Sequence, residues 1–483
     1  MVRTDFKMLI NGKLVEGKGD PCQVYNPATG ELIAEYKAAS VEQVEEALQG
    51  ARAAFKTWSF TSLNERAEWM DKFHEACAAK YDELIDLLAS ETGKAYRDNI
   101  NDLTRCWDYF DFYRDEVKRI YDNGIHDYND HRDSFYKVCR RPVGVVAGHL
   151  AWNVPMINLG MKLGPVLATG NTCVLKPSSS TPLTTMKIAE TAVEIGMPAG
   201  VFNLVSGPAG IIGKYMNESE IPDMVTCIGS IPTGVQVMHQ ASTNIKRISL
   251  ELGGNAPCIV AEDADLDGAV DFISMRKVMQ TGQSCGCVNR IFVHESVHDE
   301  FVKRLLDRVK TFKIGWGKDV PNYVGSLIDI KSRDRLIEIA QEAQEQGAKI
   351  LYGGKAPELE GKLANGAFLI PTIIDGVTDD MKAAKEELFG PVYSILTYND
   401  LDDVIERSNS TEFGLASYAF TDSAKIIGQL AERLEFGRVC INNAPIAGAN
   451  MPHTGLKQSG IGTAFGKESL DNYYSTKLIA IKP

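Results

Sequence analysis

No apolar run in this chain reaches the ~18 residues that a membrane-crossing helix requires, which argues against a helical membrane protein. The opening stretch MVRTDFKMLINGKLVEG also lacks the charged-then-apolar profile of a secretory signal, so a cytoplasmic location is expected. Histidine is scarce, at eight residues, and none is spaced to complete a metal site with a cysteine pair. The ten cysteines (22, 77, 106, 139, 173, 227, 258, 285, 287 and 440) contain no C-x-x-C spacing and no regular framework. That pattern predicts reduced thiols in a reducing compartment and no metal. Positive charge is outnumbered: 51 Lys and Arg face 64 Asp and Glu, a formal net charge of −13. A duplex nucleic-acid partner, which needs a basic face to displace counterions, is therefore not expected, although local basic sites remain compatible with the balance. Internal repeats and low-complexity segments are absent as well.

What is present is the composition of a globular protein, with 44% hydrophobic and 24% charged residues. At 483 residues, and with roughly 100–200 residues per domain, two or three domains are expected. From about Val145 short β-branched runs (VGVVAG, NTCVLKP, GVFNLVSG, DMVTCIGS, KRISLELGG) alternate with helical stretches near 155–168, 182–195 and 233–242. Such alternation predicts a parallel sheet, and prolines at several helix starts suit a first helical turn. Residues 41–121 read as helical from apolar recurrence at three- and four-residue steps, enough to cover one face of the sheet. A second α/β unit follows Glu251, with helices near FVKRLLDRVKTF and SRDRLIEIAQEAQEQG and strands at AKILYGG and PVYSILTY. HRDSFYKVCRRP and STKLIAIKP look extended without a local partner, so they are expected to pair with each other or across a subunit boundary.

Five short stretches carry chemistry-bearing residues: AWNVP at 151–155, VLKPSSSTP at 174–182, LELGG at 250–254, GQSCGC at 282–287 and EELFGP at 386–391. On residue type alone Cys285 is a small buried hydrophobe, but the flanking glycines let backbone approach a ligand. Glu251 is equally readable as an ordinary end-of-strand carboxylate; its place before a Gly-Gly turn predicts a partly buried acid whose pKa desolvation raises. Asn153 reads as a turn residue, Lys176 as a solvated lysine, and Gly229 to Gly234 as a strand-to-helix turn rather than a G-x-G-x-x-G fingerprint.

The order of these stretches, and the separation of 34 between Glu251 and Cys285, resemble the aldehyde dehydrogenase superfamily, from NPATG near the start to SGIG near the end. The resemblance implies an α/β fold: a Rossmann-type dinucleotide-binding domain (1–121 and 143–252), an α/β catalytic domain (253–455) and a β oligomerisation arm (122–142 and 456–483). It implies Cys285 as the nucleophile that forms a thioester, Asn153 as the oxyanion donor together with the Cys285 backbone N–H, and Glu251 as the group that directs water. Glu251 favours the hydrolytic branch over the coenzyme-A-acylating one. For an NAD or NADP cofactor it implies Trp152, Lys176, Ser179, Gly229, Ser230, Gly234, Glu387 and Phe389, with Lys176 at the adenosine ribose and Glu387 and Phe389 at the nicotinamide ribose and its pocket. It also implies a homodimer or homotetramer.

Two departures from the family's usual wording matter. Val154 stands where a Phe is common, which opens the substrate channel. Ser179 stands where many NAD-preferring members carry a glutamate, so NADP is expected to be tolerated. The stretch ANMPHTGLKQSGIG, with His453, is similar to lactaldehyde/glycolaldehyde and aminobutyraldehyde members. A short polar aldehyde, lactaldehyde or glycolaldehyde, is thus the expected substrate, with Asn158 facing the channel. Aminobutyraldehyde or succinate semialdehyde is the alternative. His453 itself is expected to be a packed loop residue, and Cys287 a bystander or a partner in reversible oxidation. From another class, a cofactor-independent cysteine esterase would explain Cys285, Asn153 and Glu251 but not Lys176, the Gly229 turn or Glu387.

Overall fold

The computed structural model describes residues 2–120, 135–318, 323–442 and 448–482. Its β-branched runs form two large sheets. In the first, the strands Phe202–Leu204, Thr172–Lys176, Val145–His149, Met224–Ile228 and Arg247–Glu251 lie side by side in that order, all parallel. The antiparallel hairpin Met8–Ile10 and Lys13–Val15 closes one edge, and Gly460–Ile461 closes the other. Every residue of Val145–His149 and of Thr172–Lys176 is buried, as continuous apolar strands are when helices cover both faces. The segment read as helical divides into Val41–Trp58, Leu63–Ala78, Tyr81–Thr92 and Tyr96–Arg119. The first of these is started by a reciprocal Ser40–Gln43 capping box. Pro155 opens the helix Pro155–Thr169, where its missing N–H costs nothing.

Strand order dictates where a ligand can enter. From Val145–His149 the chain crosses to Thr172–Lys176 on one side, and Met224–Ile228 lies on the other. Where the order reverses, the loops leaving the carboxyl ends of neighbouring strands part and leave a crevice.

The second sheet runs Lys349–Tyr352, Thr372–Asp375, Val392–Tyr398, Val288–His294, Ala256–Val260, Ser417–Phe420, Val439–Ile441; only the first strand is antiparallel to its neighbour. Alternate side chains build its two faces: Ile259, Phe292, Leu396 and Ala419 pack into one core, and Cys258, Ile291, Ile395 and Tyr418 into another.

The two extended stretches pair with each other. Phe135–Pro142 and Tyr474–Ile481 form an antiparallel ribbon, from Phe135 opposite Ile481 to Pro142 opposite Tyr474. Residues 122–134 of the expected arm lie outside the described residues. The expected tail, 456–483, contributes Gly460–Ile461 to the first sheet before it reaches the ribbon. Among the described residues no helix is long and apolar enough to cross a membrane.

Candidate active site

Cys285 follows a tight reversal. The helix Leu266–Val278 ends, and Gln280, Thr281 and Gly282 take positive φ angles of 53°, 56° and 72° in succession. Two of these are side-chain-bearing residues in a sparsely populated region, which the surroundings must hold in place. The buried Asp98 does so by accepting the Gln280 N–H at 2.8 Å, and the Gln283 side chain accepts the Ile328 N–H at 2.9 Å. The loop presses against the Gly-Gly turn that follows Glu251: a Cβ on Gly254 would lie 2.2 Å from the Cys285 carbonyl oxygen. Glycine at 254 is thus what lets the Cys285 loop and the strand end meet.

They meet closely. The Cys285 thiol donates to Glu251 Oε1 over 2.8 Å, and His453 Nε2 lies 3.1 Å from the same oxygen and 4.0 Å from the sulfur. Burial first, and then the adjacent Glu251 carboxylate, hold the Cys285 thiol well above its ordinary pKa. Burial also works to raise Glu251, but hydrogen bonds from His453 and Cys285 outweigh it, and its pKa falls below the ordinary carboxylate value. The expected rise at Glu251 is therefore reversed, because the carboxylate's two donors stabilise its charge. Burial and the charge of Arg438 lower the pKa of His453. A neutral imidazole beside a carboxylate presents Nε2–H to it, leaving the buried Nδ1 with no partner among the described residues. His453 is thus more than a packed loop residue: it lines the cavity and bonds the acid. The three groups offer Oε, Sγ and a ring nitrogen within 4.8 Å of one another.

Asn153 reaches this centre from the end of the strand Val145–His149. It is buried, its Nδ2 donates to the Gln283 carbonyl at 3.1 Å, and its own carbonyl accepts from Lys94 Nζ at 2.8 Å. Lys94 pairs with Asp102 at 3.0 Å, both almost fully buried, and Asp102 caps the N-terminal turn of the next helix through the Ile157 N–H at 2.8 Å. A cavity of about 290 Å³ opens onto Cys285, Glu251, Asn153, Val154, Asn158 and His453. Cys287 points elsewhere, its thiol donating to the Arg276 carbonyl at 3.3 Å.

A second cavity, of about 410 Å³, occupies the crevice at the strand-order reversal. Trp152, Lys176, Ser179, Gly229 and Ser230 line it, each at the carboxyl end of a parallel strand. Lys176 Nζ donates to the Pro177 and Gly207 carbonyls at 3.0 and 3.3 Å, and Ser179 Oγ to Gly207 at 3.1 Å. Burial lowers the Lys176 pKa to about 8, and no carboxylate lines the cavity among the described residues. A buried cation facing open space without an acid suits an anionic or polyhydroxylated ligand. The helix Ile231–Ala241 starts at the Ser230 cap and directs its N-terminus here, as a pyrophosphate requires. Both features fit a dinucleotide.

Gly234 does not line the crevice; it lets the helix pack on Leu252, whose Cδ1 would lie 2.5 Å from a Cβ there. Glu387 and Phe389 are not among the lining residues of either cavity. Glu387 accepts the Gly254 N–H at 2.8 Å, with burial raising its pKa to about 7, and the Phe389 ring meets Trp152 edge-on at 5.4 Å. Sequence reasoning missed His149, Thr233 and Gln236 in the crevice, and Arg105, Arg276, Arg438 and Tyr109 in the Cys285 cavity. The first group follows from strand ends and the helix start; the second comes from separate segments with no spacing to betray it.

The profile of the aldehyde dehydrogenase family matches residues 14–479. Among curated relatives, the NADP(+) succinate-semialdehyde dehydrogenase of Escherichia coli K12 is 35% identical over 474 residues, 98% of this chain and 97% of its own. A glutarate-semialdehyde dehydrogenase of Pseudomonas putida is 36% identical over 473 residues, 98% and 97% of the two chains. The crystal structure of lactaldehyde dehydrogenase from Escherichia coli superposes with a TM-score of 0.95 at 32% identity, covering 100% of both chains.

Proposed function

The chain belongs to the aldehyde dehydrogenase family and is an NAD(P)-dependent oxidoreductase of aldehydes, and on that premise we propose that it works through a thioester on Cys285 that Glu251 hydrolyses to a free acid. The observation that carries this reading is the 2.8 Å contact between the Cys285 thiol and the Glu251 carboxylate, at the floor of a cavity next to the dinucleotide crevice.

As Sγ adds to the aldehyde carbon, the thiol proton passes to Glu251, whose lowered pKa is overcome only as the sulfur gives up its electrons to the new bond. The second N–H of Asn153 and the Cys285 backbone N–H stabilise the oxyanion; removing one such donor typically costs about 10²–10³ in rate. The dinucleotide, when bound, supplies the hydride acceptor. Once Cys285 is acylated, Glu251 loses its thiol donor, sheds its proton and is free to take one from water. His453 holds the carboxylate in place through both steps. Trp152, Lys176, Ser179, Gly229 and Ser230 would hold the dinucleotide, with Glu387 and Phe389 at its reactive end. Among the described residues no carboxylate lines the crevice beside Ser179, which supports the use of NADP.

We assign a short polar aldehyde as substrate, hydroxylated or carboxylated. The small cavity, Val154 and Asn158 in its lining, and relatives named for succinate semialdehyde, glutarate semialdehyde and lactaldehyde support this. We also assign residues 1–121 with 143–252 to dinucleotide binding, 253–455 to catalysis, and the ribbon to homodimer or homotetramer assembly. Leu478 and Ile481 are more than half exposed on the ribbon, and a two-stranded ribbon is only marginally stable alone. Ten free cysteines suit the cytoplasm. The decisive experiment is Cys285→Ala: aldehyde oxidation is expected to fall about 10⁴-fold or more, and retained turnover sinks the covalent route.

A further inference from the structure

Three side chains meet at one point of the Cys285 cavity, and each ends in an atom that can ligate a metal. Glu251 Oε1 lies 2.8 Å from Cys285 Sγ and 3.1 Å from His453 Nε2, and sulfur and nitrogen are 4.0 Å apart. The residues are separated by 34, 168 and 202 positions along the chain, so no spacing motif announces them. Among the described residues no other group of three or more His, Cys, Asp or Glu side chains gathers its ligand atoms so closely. Glu251 and His453 are buried and Cys285 is half-buried, and all three line the cavity, so the donors are held from behind and open in front.

The geometry suits a tetrahedral ion. Zinc holds sulfur at about 2.3 Å and imidazole nitrogen or carboxylate oxygen at about 2.0–2.2 Å, which sets such donors about 3.3–3.6 Å apart. The three separations here fall within about 0.7 Å of those values, a difference that rotation of the Cys285 side chain spans. The cavity of about 290 Å³ leaves room for a water as fourth ligand. Thiolate and carboxylate together cancel the two charges of the cation, and burial with the charge of Arg438 keeps His453 unprotonated and able to ligate. Sulfur and imidazole also select the metal: they suit zinc, whereas magnesium and calcium take sets of oxygens. Two features keep the binding reversible. His453 Nδ1 is buried with no partner among the described residues, so the ring lacks the second hydrogen bond that tight zinc sites give their histidines. The positive charge of Arg438 also reaches Cys285 and His453 and opposes a dication.

We propose that Cys285, Glu251 and His453 form a reversible zinc site whose occupation masks the nucleophile. Binding forms an Sγ–metal bond and releases the thiol proton to solvent, with no change of oxidation state. The masked sulfur cannot add to an aldehyde, and Glu251 cannot take up a proton, so zinc acts here as an inhibitor and not as a cofactor. The dinucleotide crevice shares none of these ligands and stays open. The inhibitory effect rests on the reading of Cys285 as the nucleophile, whereas the site itself rests on the three distances.

The test uses the full-length enzyme in buffer free of thiols and chelators. Equilibrium dialysis should find one Zn²⁺ per chain above the background of Cys285→Ser, and His453→Phe should weaken that binding by about tenfold or more. Retained dinucleotide binding by each variant checks that it folds. Co²⁺ in place of Zn²⁺ should give a thiolate-to-metal charge-transfer absorption that Cys285→Ser lacks. Micromolar Zn²⁺ should slow oxidation, raise the apparent KM for the aldehyde and protect Cys285 from iodoacetamide, with the Kd for NADPH unchanged. EDTA should restore the rate, and Mg²⁺ should do none of this. Equal zinc binding by the unaltered enzyme, Cys285→Ser and His453→Phe overturns the site, and so does Mg²⁺ that matches Zn²⁺. Zinc bound with the expected variant pattern while oxidation runs unslowed overturns the masking and the Cys285 reading together. Undiminished oxidation by Cys285→Ala, with zinc binding as expected in the unaltered enzyme, overturns that reading and leaves the site standing.

Discussion

The two cavities of this protein are built in different ways. The crevice at the strand-order reversal is assembled from the carboxyl ends of adjacent parallel strands, so Trp152, Lys176, Ser179, Gly229 and Ser230 meet because the sheet brings its β-α junctions together. The Cys285 cavity draws its lining from separate segments, among them the helix Tyr96–Arg119, the end of the strand Arg247–Glu251, the turn after Val278 and the loop at His453. Among the described residues, the crevice is lined by one buried lysine and no acid, and the other cavity by three arginines and one carboxylate that a thiol and an imidazole engage. Topology alone makes a binding crevice, whereas the chemistry depends on contacts between segments far apart in sequence.

Substitutions can break this contrast on one side only. The largest effect after loss of the thiol is expected for Glu251→Gln: steady-state NAD(P)H production should fall about 10²–10⁴-fold, because the addition step loses its proton acceptor and thioester hydrolysis its base. Turnover within a few-fold of the unaltered enzyme would remove Glu251 from both steps. The same variant reads the electrostatics. With burial and then Glu251 raising the thiol pKa, iodoacetamide labelling of Cys285 in the unaltered protein should rise with pH around a midpoint above that of free cysteine, about 8.5. Removing the carboxylate should move the midpoint to lower pH; an upward move would mean that Glu251 activates the resting thiol rather than restraining it.

A smaller but still large effect is expected at the scaffold behind Asn153. Asp102→Asn leaves Lys94 buried without its partner and weakens the hold on both the Asn153 carbonyl and the Ile157 N–H. Removing one member of a buried pair costs about 3–5 kcal/mol, readable in urea unfolding, and kcat should drop with little change in dinucleotide affinity. Loss of dinucleotide binding instead would show that the two cavities share this support. The smallest effect is reserved for the crevice. Ser179→Glu should cut kcat/KM for NADP⁺ about tenfold or more relative to NAD⁺, through repulsion of the 2′-phosphate. An unchanged ratio would place the 2′-position away from residue 179.

Legibility in the sequence followed the same division. Elements from Val145 to Glu251 were readable because fully buried parallel strands appear as unbroken β-branched runs, and the helices between them begin at prolines and caps. Cys285, Glu251 and Asn153 were readable as a set through their order and spacing. Gly234 packs on Leu252 and is not among the residues lining the crevice, a placement that a strand-to-helix turn does not distinguish in sequence from a ligand contact. The pKa of Glu251 could not be read at all, since burial could be inferred from the motif but the two donors could not. His453 was visible as a departure in wording, and its bond to Glu251 was not.

Sequence by itself thus determined the α/β class through local periodicity, and through the resemblance of its short stretches it picked out Cys285, Glu251, Lys176 and the Gly229 turn as candidates, because those signals lie in local pattern and order along the chain. Tertiary structure alone decided the sign of the shift at Glu251, the place of His453, the pairing of the two lone strands and the gathering of Arg105, Arg276 and Arg438. Those features depend on distances between segments separated by up to several hundred residues, and electrostatic and hydrogen-bond energies fall off over a few ångströms of space, whatever the separation along the chain.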